Sequence, residues 1–369
     1  MLTAESCGEF VTAPQHSRES GRLEPGLRSG VDMRGTDVTQ GSSVDRARAI
    51  AILCLIWTLP CSQPAWGLDP PRSGLRTGPY TVLTVERVVL HDEARHKNIP
   101  IKIYYPDAAG PFPVIVFSHG ALASKDDYSG LGRYWASFGY VSVHPSHADS
   151  IADSGFRGGL KQAINDPSAW QNRPRDVSFV LDSLTRVVSL APQLAGKLDL
   201  RHIGVAGHSF GAYTAALIGG TTVHLPGKRG PQRFADPRAS AVVLLSPQGE
   251  GRLGLTADSW DYLRVPMLLI YGSRDFGPFG EAPVWRNEAF LRAPPGDKYD
   301  VVLDGATHMQ CARRFAAAKE PPDPLFQCIE VETLAFWNAY LKQDPDARNH
   351  MLSQDRQGCS ANVARFAAK

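Results

Sequence analysis

From residue 81 onward the chain alternates between two hydrophobic periods. Short runs that are apolar at almost every position, 113–117, 140–143, 203–206, 241–245, 267–271 and 299–303, are too brief for helices and rich in Val, Ile and Leu. That is the pattern of strands buried on both faces. Between them, 128–138, 172–190, 212–218, 284–291 and 328–341 read as helices. The second carries Val177, Val180, Leu181, Leu184, Val187 and Val188 at three- and four-residue steps along one face. Ahead of all these, 81–90 and 99–105 are β-rich runs split by polar residues, an antiparallel hairpin at a sheet edge. Strands alternating with helices predict an α/β fold: a mostly parallel, eight-stranded sheet with helices on both faces. The segments 146–171 and 221–238 read as polar loops. Neither is long enough for a helical cap domain, so any cleft is expected to be open.

The N-terminal part is different material. Residues 1–45 are rich in Gly, Ser, Arg and Glu without apolar periodicity, which predicts disorder. Arg46 and Arg48 then precede an apolar run, 49–59, followed by Ala65-Trp66-Gly67. A positive flank, a short apolar stretch and a small-x-small site are the parts of a secretory signal peptide over about 46–67. A leader beginning at Met1 is unusually long, which makes Met33 the candidate start. The expected organisation is a disordered leader plus signal peptide over 1–67 and one folded domain over 68–369, secreted or periplasmic. Composition adds exclusions. A net charge of +2, with 43% hydrophobic and 21% charged residues, suggests no nucleic-acid partner. No apolar run reaches the roughly 18–20 residues of a membrane span. Of the cysteines, Cys7, Cys54 and Cys61 would leave with the leader. In an oxidising compartment the expected disulfide is Cys311–Cys328, with Cys359 left over. The oligomeric state is open.

Gly207-His208-Ser209-Phe210-Gly211 joins the apolar run 203–206 to the helix 212–218. A serine between two glycines at a strand-to-helix turn is a nucleophile elbow: the tight turn pushes the hydroxyl clear of the sheet. A serine hydroxyl needs a base, and the base an orienting carboxylate. Both are expected after late strands, in the order Ser, Asp, His. Asp275 follows 267–271 and His308 follows 299–303, so Ser209, Asp275 and His308 are the candidate triad. Asp304 is the rival acid, read as a turn former before Gly305; His224 and His350 are read as solvated. An oxyanion needs two N–H donors. Phe210, after the nucleophile, is one candidate, and Ala121, in Ser118-His119-Gly120-Ala121 after the strand 113–117, is the other. His119 is expected to brace that loop. Trp170, Phe276, Phe279 and Met309 are candidates for an apolar substrate wall. His144-Pro145-Ser146-His147-Ala148-Asp149 has metal-ligand residue types but no second ligand group, so no metal and no cofactor are expected, and His147 is placed near the pocket rim.

The Gly-His-Ser-Phe-Gly elbow, the Val116-Phe117-Ser118-His119-Gly120 stretch ahead of Asp126-Asp127-Tyr128-Ser129, and the downstream Asp and His together resemble the α/β-hydrolase superfamily over about residues 80–345. Within it the chain is similar to platelet-activating-factor acetylhydrolase-like and dienelactone-hydrolase-like esterases and to bacterial cutinase-like polyester hydrolases. The resemblance implies the α/β-hydrolase fold and hydrolysis of carboxylic esters, small-molecule or lipid-like; with the Ser-Asp-His order, the expected reaction runs through an acyl-enzyme, and short acyl chains are the preferred reading. Polyester or phospholipid esters, amide hydrolysis on the same triad, and a non-catalytic binding protein on the scaffold are the alternatives. Two departures stand out. The acetylhydrolases place their acid one strand earlier, where this chain has Ser246-Pro247, and dienelactone hydrolases use cysteine where this chain has Ser209.

Overall fold

The computed structural model describes residues 77–311, 323–353, Cys359 and 363–369. The predicted leader and signal segment lie outside the described residues. Nine strands form one sheet: β1 (Val82–Asp92), β2 (Lys97–Pro106), β3 (Phe112–Ser118), β4 (Val141–Pro145), β5 (Leu198–His208), β6 (Ala239–Leu245), β7 (Met267–Gly272), β8 (Lys298–Leu303) and β9 (Ala364–Ala368). Their spatial order is β1-β2-β4-β3-β5-β6-β7-β8-β9. The six from β3 to β8 run parallel, while β1, β2 and β9 are antiparallel to their neighbours. The expected sheet had eight strands. The ninth, Ala-Arg-Phe-Ala-Ala, has neither a β-branched run nor apolar alternation, and owes its conformation to pairing with β8.

Buried strands expose alternate side chains to opposite faces, and the core divides accordingly. Val114, Val116, Val205, Val242 and Leu244 meet α2 (Pro167–Leu190) and α3 (Phe210–Gly219) on one face. Ile115, Phe117, Val243, Leu268 and Ile270 meet α1 (Ser129–Ser137) and α4 (Pro324–Leu341) on the other. Every residue of α3 is buried, so a helix apolar all round is what that position requires. α2 starts earlier than its apolar spacing indicates, because the Asp166 carboxylate accepts from Ser168 N–H at 2.8 Å and Pro167 occupies the first turn. The expected loop 146–171 contains two short helical turns, Ile151–Ser154 and Leu160–Asn165. The expected helix 284–291 is a 3₁₀ turn, Pro283–Asn287, running into Glu288–Arg292.

The disulfide expectation is corrected. Cys328 pairs with Cys359 at a Cα–Cα distance of 4.7 Å, and Cys311 is a buried free thiol. A disulfide needs Cα atoms roughly 4.4–6.8 Å apart, a spacing that tertiary packing decides. α4 turns Cys328 toward the segment that carries Cys359 ahead of β9, whereas Cys311 is sealed beside Asp275 and Ser246, where burial pushes its thiol up to about 12.

Candidate active site

Parallel strands deliver their following loops to one end of the sheet, and the candidate residues gather there. β5 ends at His208, and α3 begins at Phe210. The single residue between them, Ser209, has φ 54° and ψ −119°, outside the conformations that L-residues favour. Its strain is held by a hydrogen bond from its N–H to the Leu245 carbonyl at 2.8 Å, and by Ala212 and Tyr213 N–H groups on its own carbonyl. The glycines are compulsory: a Cβ on Gly207 would fall on the Gly211 backbone, and one on Gly211 on the Ser118 carbonyl.

His308 Nε2 stands 2.9 Å from Ser209 Oγ, and His308 Nδ1 stands 2.9 Å from Asp275 Oδ1. A carboxylate accepts, so Nδ1 carries the proton and Nε2 is free to accept from the serine. Asp275 is fully buried. Burial would raise its carboxyl, but the hydrogen bond from His308 and the Arg286 guanidinium hold it below the usual range. Arg286, also buried, donates through Nε to Asp275 Oδ1 at 3.1 Å and to the Ser246, Pro247 and Phe276 carbonyls. Sequence reasoning missed this residue; its signal was a lone arginine beside Val284 and Trp285 in an apolar turn. The rival Asp304 is half exposed and pairs with Arg365 at 3.2 Å, away from the histidine. His350, read as solvated, instead stands half-buried 3.6 Å from the buried Glu332.

Behind the serine lies a network of neutral histidines. His208 Nε2 donates to the His308 carbonyl at 3.1 Å, because a carbonyl can only accept. Its Nδ1 therefore accepts from the Tyr128 hydroxyl at 3.0 Å, which in turn accepts from Gly120 N–H at 3.1 Å. Burial keeps His208 well below the ordinary imidazole range. His119 turns its two ring nitrogens to the Gly120 carbonyl and the His147 N–H, which is how it braces the loop. His147 does not reach the rim. It is fully buried between Ser118 Oγ and Asp176 Oδ2, each at 2.9 Å, and burial pushes it down to about 4. Arg173 clamps the same loop: it holds both oxygens of Asp149 at 3.0 and 2.7 Å, and donates to the His119 carbonyl at 2.7 Å. Asp149 in turn accepts from Leu122 N–H. Ala121 N–H, between these tethers, and Phe210 N–H, at the start of α3, have no acceptor among the described residues.

A cavity of about 310 Å³ opens over Ser209 and His308. Of the four predicted wall residues, Phe276, Phe279 and Met309 line it, and all three are exposed at its mouth. Trp170 does not; its indole N–H donates to the Ile164 carbonyl at 2.8 Å, so it supports a segment whose Leu160 and Ile164 form the wall instead. Gln248, Arg252 and Trp285 also line the cavity and were missed. The described residues contain no group of His, Cys, Asp and Glu able to hold a metal ion.

A chlorophyllase family model matches residues 74–223, which include β1 to β5, the loop carrying His119 and Gly120, and Ser209. Among curated proteins, a chlorophyllase type 0 from Chenopodium album is 44% identical over 46 residues, 12% of this chain and 13% of that protein. A platelet-activating factor acetylhydrolase from Bos taurus is 22% identical over 237 residues, 53% of this chain and 47% of the relative. The matched region spans less than half the length of either. The sheet and the strand-to-helix turn are those of the α/β-hydrolase fold, and the likenesses support an esterase-type superfamily of that fold.

Proposed function

We propose that the chain is a serine hydrolase of carboxylic esters that works through an acyl-enzyme. The observation that carries this is His308 standing 2.9 Å from both Ser209 Oγ and Asp275 Oδ1. Ser209 Oγ attacks the ester carbonyl while His308 Nε2 takes its proton. Asp275 holds Nδ1–H and stabilises the imidazolium. The Ala121 and Phe210 N–H groups receive the oxyanion, helped by the positive end of α3. His308 returns the proton to the leaving alcohol, then activates a water that releases the acid. A cavity of about 310 Å³ sits at the low end of the roughly 300–1,000 Å³ range of ligand sites, which favours short acyl groups. The exposed Phe276, Phe279 and Met309 at its mouth favour, as a second reading, lipid-like esters whose long portion lies across the rim. The disulfide and the Arg-flanked apolar run 49–59 support export, with 68–369 as the catalytic domain.

The test is intact-mass analysis after a fluorophosphonate probe. One adduct, mapped to Ser209 and absent from Ser209→Ala, is expected. A folded protein that takes no adduct refutes the proposal.

A further inference from the structure

The floor of the cavity contains a polar side chain that the acyl-transfer steps do not use. Gln248 follows β6 by three residues, so it sits at the carboxyl end of the sheet with the reacting groups. Its side chain is more than nine-tenths buried, yet it lines the cavity together with Ser209 and His308. Its amide oxygen is sealed from solvent and has no donor. Its amide nitrogen has no acceptor among the described residues and is not sealed, so the nitrogen is the end turned toward the cavity. The same lining is mostly apolar, with Leu160, Ile164, Leu253 and Trp285, and carries the charged Arg252 and Arg286 as well. An amide nitrogen without an acceptor is costly in such surroundings, and a ligand oxygen that accepts from it recovers that cost.

We infer that Gln248 is a specificity-determining residue that hydrogen-bonds a second oxygen of the substrate, beyond the scissile ester, and that the preferred substrates are esters of short oxygenated acids such as hydroxyacyl esters. The inference rests on the ester-hydrolase proposal and deepens it. A hydroxyl suits the site, because its oxygen can accept from the amide nitrogen, the end that faces the cavity. An unsubstituted acyl chain of the same length leaves Gln248 unpaired. Sites built to bond a substrate hydroxyl discriminate against the analogue that lacks it for this reason.

The experiment compares kcat/KM for methyl 3-hydroxybutyrate and methyl butyrate in the wild type, Gln248→Met and Gln248→Leu. The readout is the ratio of the two esters within each enzyme, so any general loss of rate in a variant cancels. So does the intrinsic reactivity difference between the esters, once the wild-type ratio is divided by the variant's. Forming one otherwise missing hydrogen bond corresponds to about a ten- to hundredfold advantage for the hydroxy ester in the wild type. That advantage is expected to vanish in whichever of the two variants folds. Equal ratios in wild type and variant, with both esters cleaved, overturn the inference and leave the ester-hydrolase proposal standing. A wild type that cleaves neither ester overturns the inference, and the fluorophosphonate adduct on Ser209 then decides separately whether the ester-hydrolase proposal stands.

Discussion

Replacing Asp275 by Asn separates the chemistry of the site from its stability. Asp275 Oδ1 accepts from His308 Nδ1 at 2.9 Å and from Arg286 Nε at 3.1 Å. An Asn amide has the same shape but no charge, and it can present N–H to the imidazole. The imidazole then carries its proton on Nε2, facing the serine it should deprotonate. Removing the orienting carboxylate in this way costs about 10⁴-fold in kcat, about 5 kcal/mol of barrier. The same substitution strands the buried Arg286. Breaking a buried ion pair costs about 3–5 kcal/mol. Arg286 keeps the Ser246, Pro247 and Phe276 carbonyls, so a loss of about 3 kcal/mol in urea unfolding is expected. Asp275→Asn/Arg286→Met removes the stranded charge and should recover much of that stability and none of the rate. Asp304→Asn is the control: its exposed pair with Arg365 is worth about 0–1 kcal/mol, and turnover should stay within about twofold. Ester kinetics and urea melts on the four proteins give both readouts. A kcat for Asp275→Asn within tenfold of wild type, or a larger loss in Asp304→Asn, would refute the assignment of the acid.

Arg173→Met should lower kcat by about 10²-fold, the order of one lost oxyanion donor, because it frees the loop that carries Ala121; a folded variant with kcat within threefold of wild type shows the clamp to be dispensable. Asp300, buried in β8 with no donor to Oδ1, is pushed up to about 7 by burial. Its folded value lies above its unfolded one, so the native state keeps a proton that the unfolded chain releases, and stability falls as pH rises from about 4 to 7. Asp300→Asn should flatten that slope and exceed wild type at pH 8 by up to a few kcal/mol; parallel urea-stability profiles for the two proteins between pH 4 and 8 would dispose of the idea. Cys328–Cys359 closes a span of 31 residues, and Cys359→Ser should lose about 3–4 kcal/mol by loop-closure entropy. Non-reducing peptide mapping should find Cys311 alkylated only after unfolding, and a linked Cys311–Cys328 peptide would contradict the pairing.

The parts that could be read in advance are those where a local rule decides the outcome. Wholly apolar runs such as Val114–Phe117 become central strands because no other element buries both faces so cheaply. A serine between glycines, after such a run and ahead of a helix, fits the tight strand-to-helix turn that needs no Cβ on either side. Strand ends then locate Asp275 and His308, since parallel strands point their exits the same way. What escaped depends on contacts distant in sequence. β9 exists because β8 has an unpaired edge. The cysteine pairing follows where the chain returns after α5 (Pro345–Leu352). Trp170 and Leu160 lie within one loop-like stretch, and only packing shows which of them faces the cavity. Arg286 had no motif at all. Gln248 did have a signal, its place just beyond a buried strand at the active end of the sheet.

The ring of His208 has a further consequence. Its nitrogens join the Gly120 turn, through Tyr128, to the backbone of His308, and it is itself the neighbour of Ser209. Three segments far apart in the chain are thus tied together through one ring, and a replacement that breaks the ring's bonds is expected to disturb all three. The side chains of Leu160, Phe276 and Met309 around the mouth are exposed and outside that linkage. Single substitutions at the entrance are therefore expected to alter which ligands fit while leaving the tethered segments in place, whereas changes around the His208 ring are expected to require compensation.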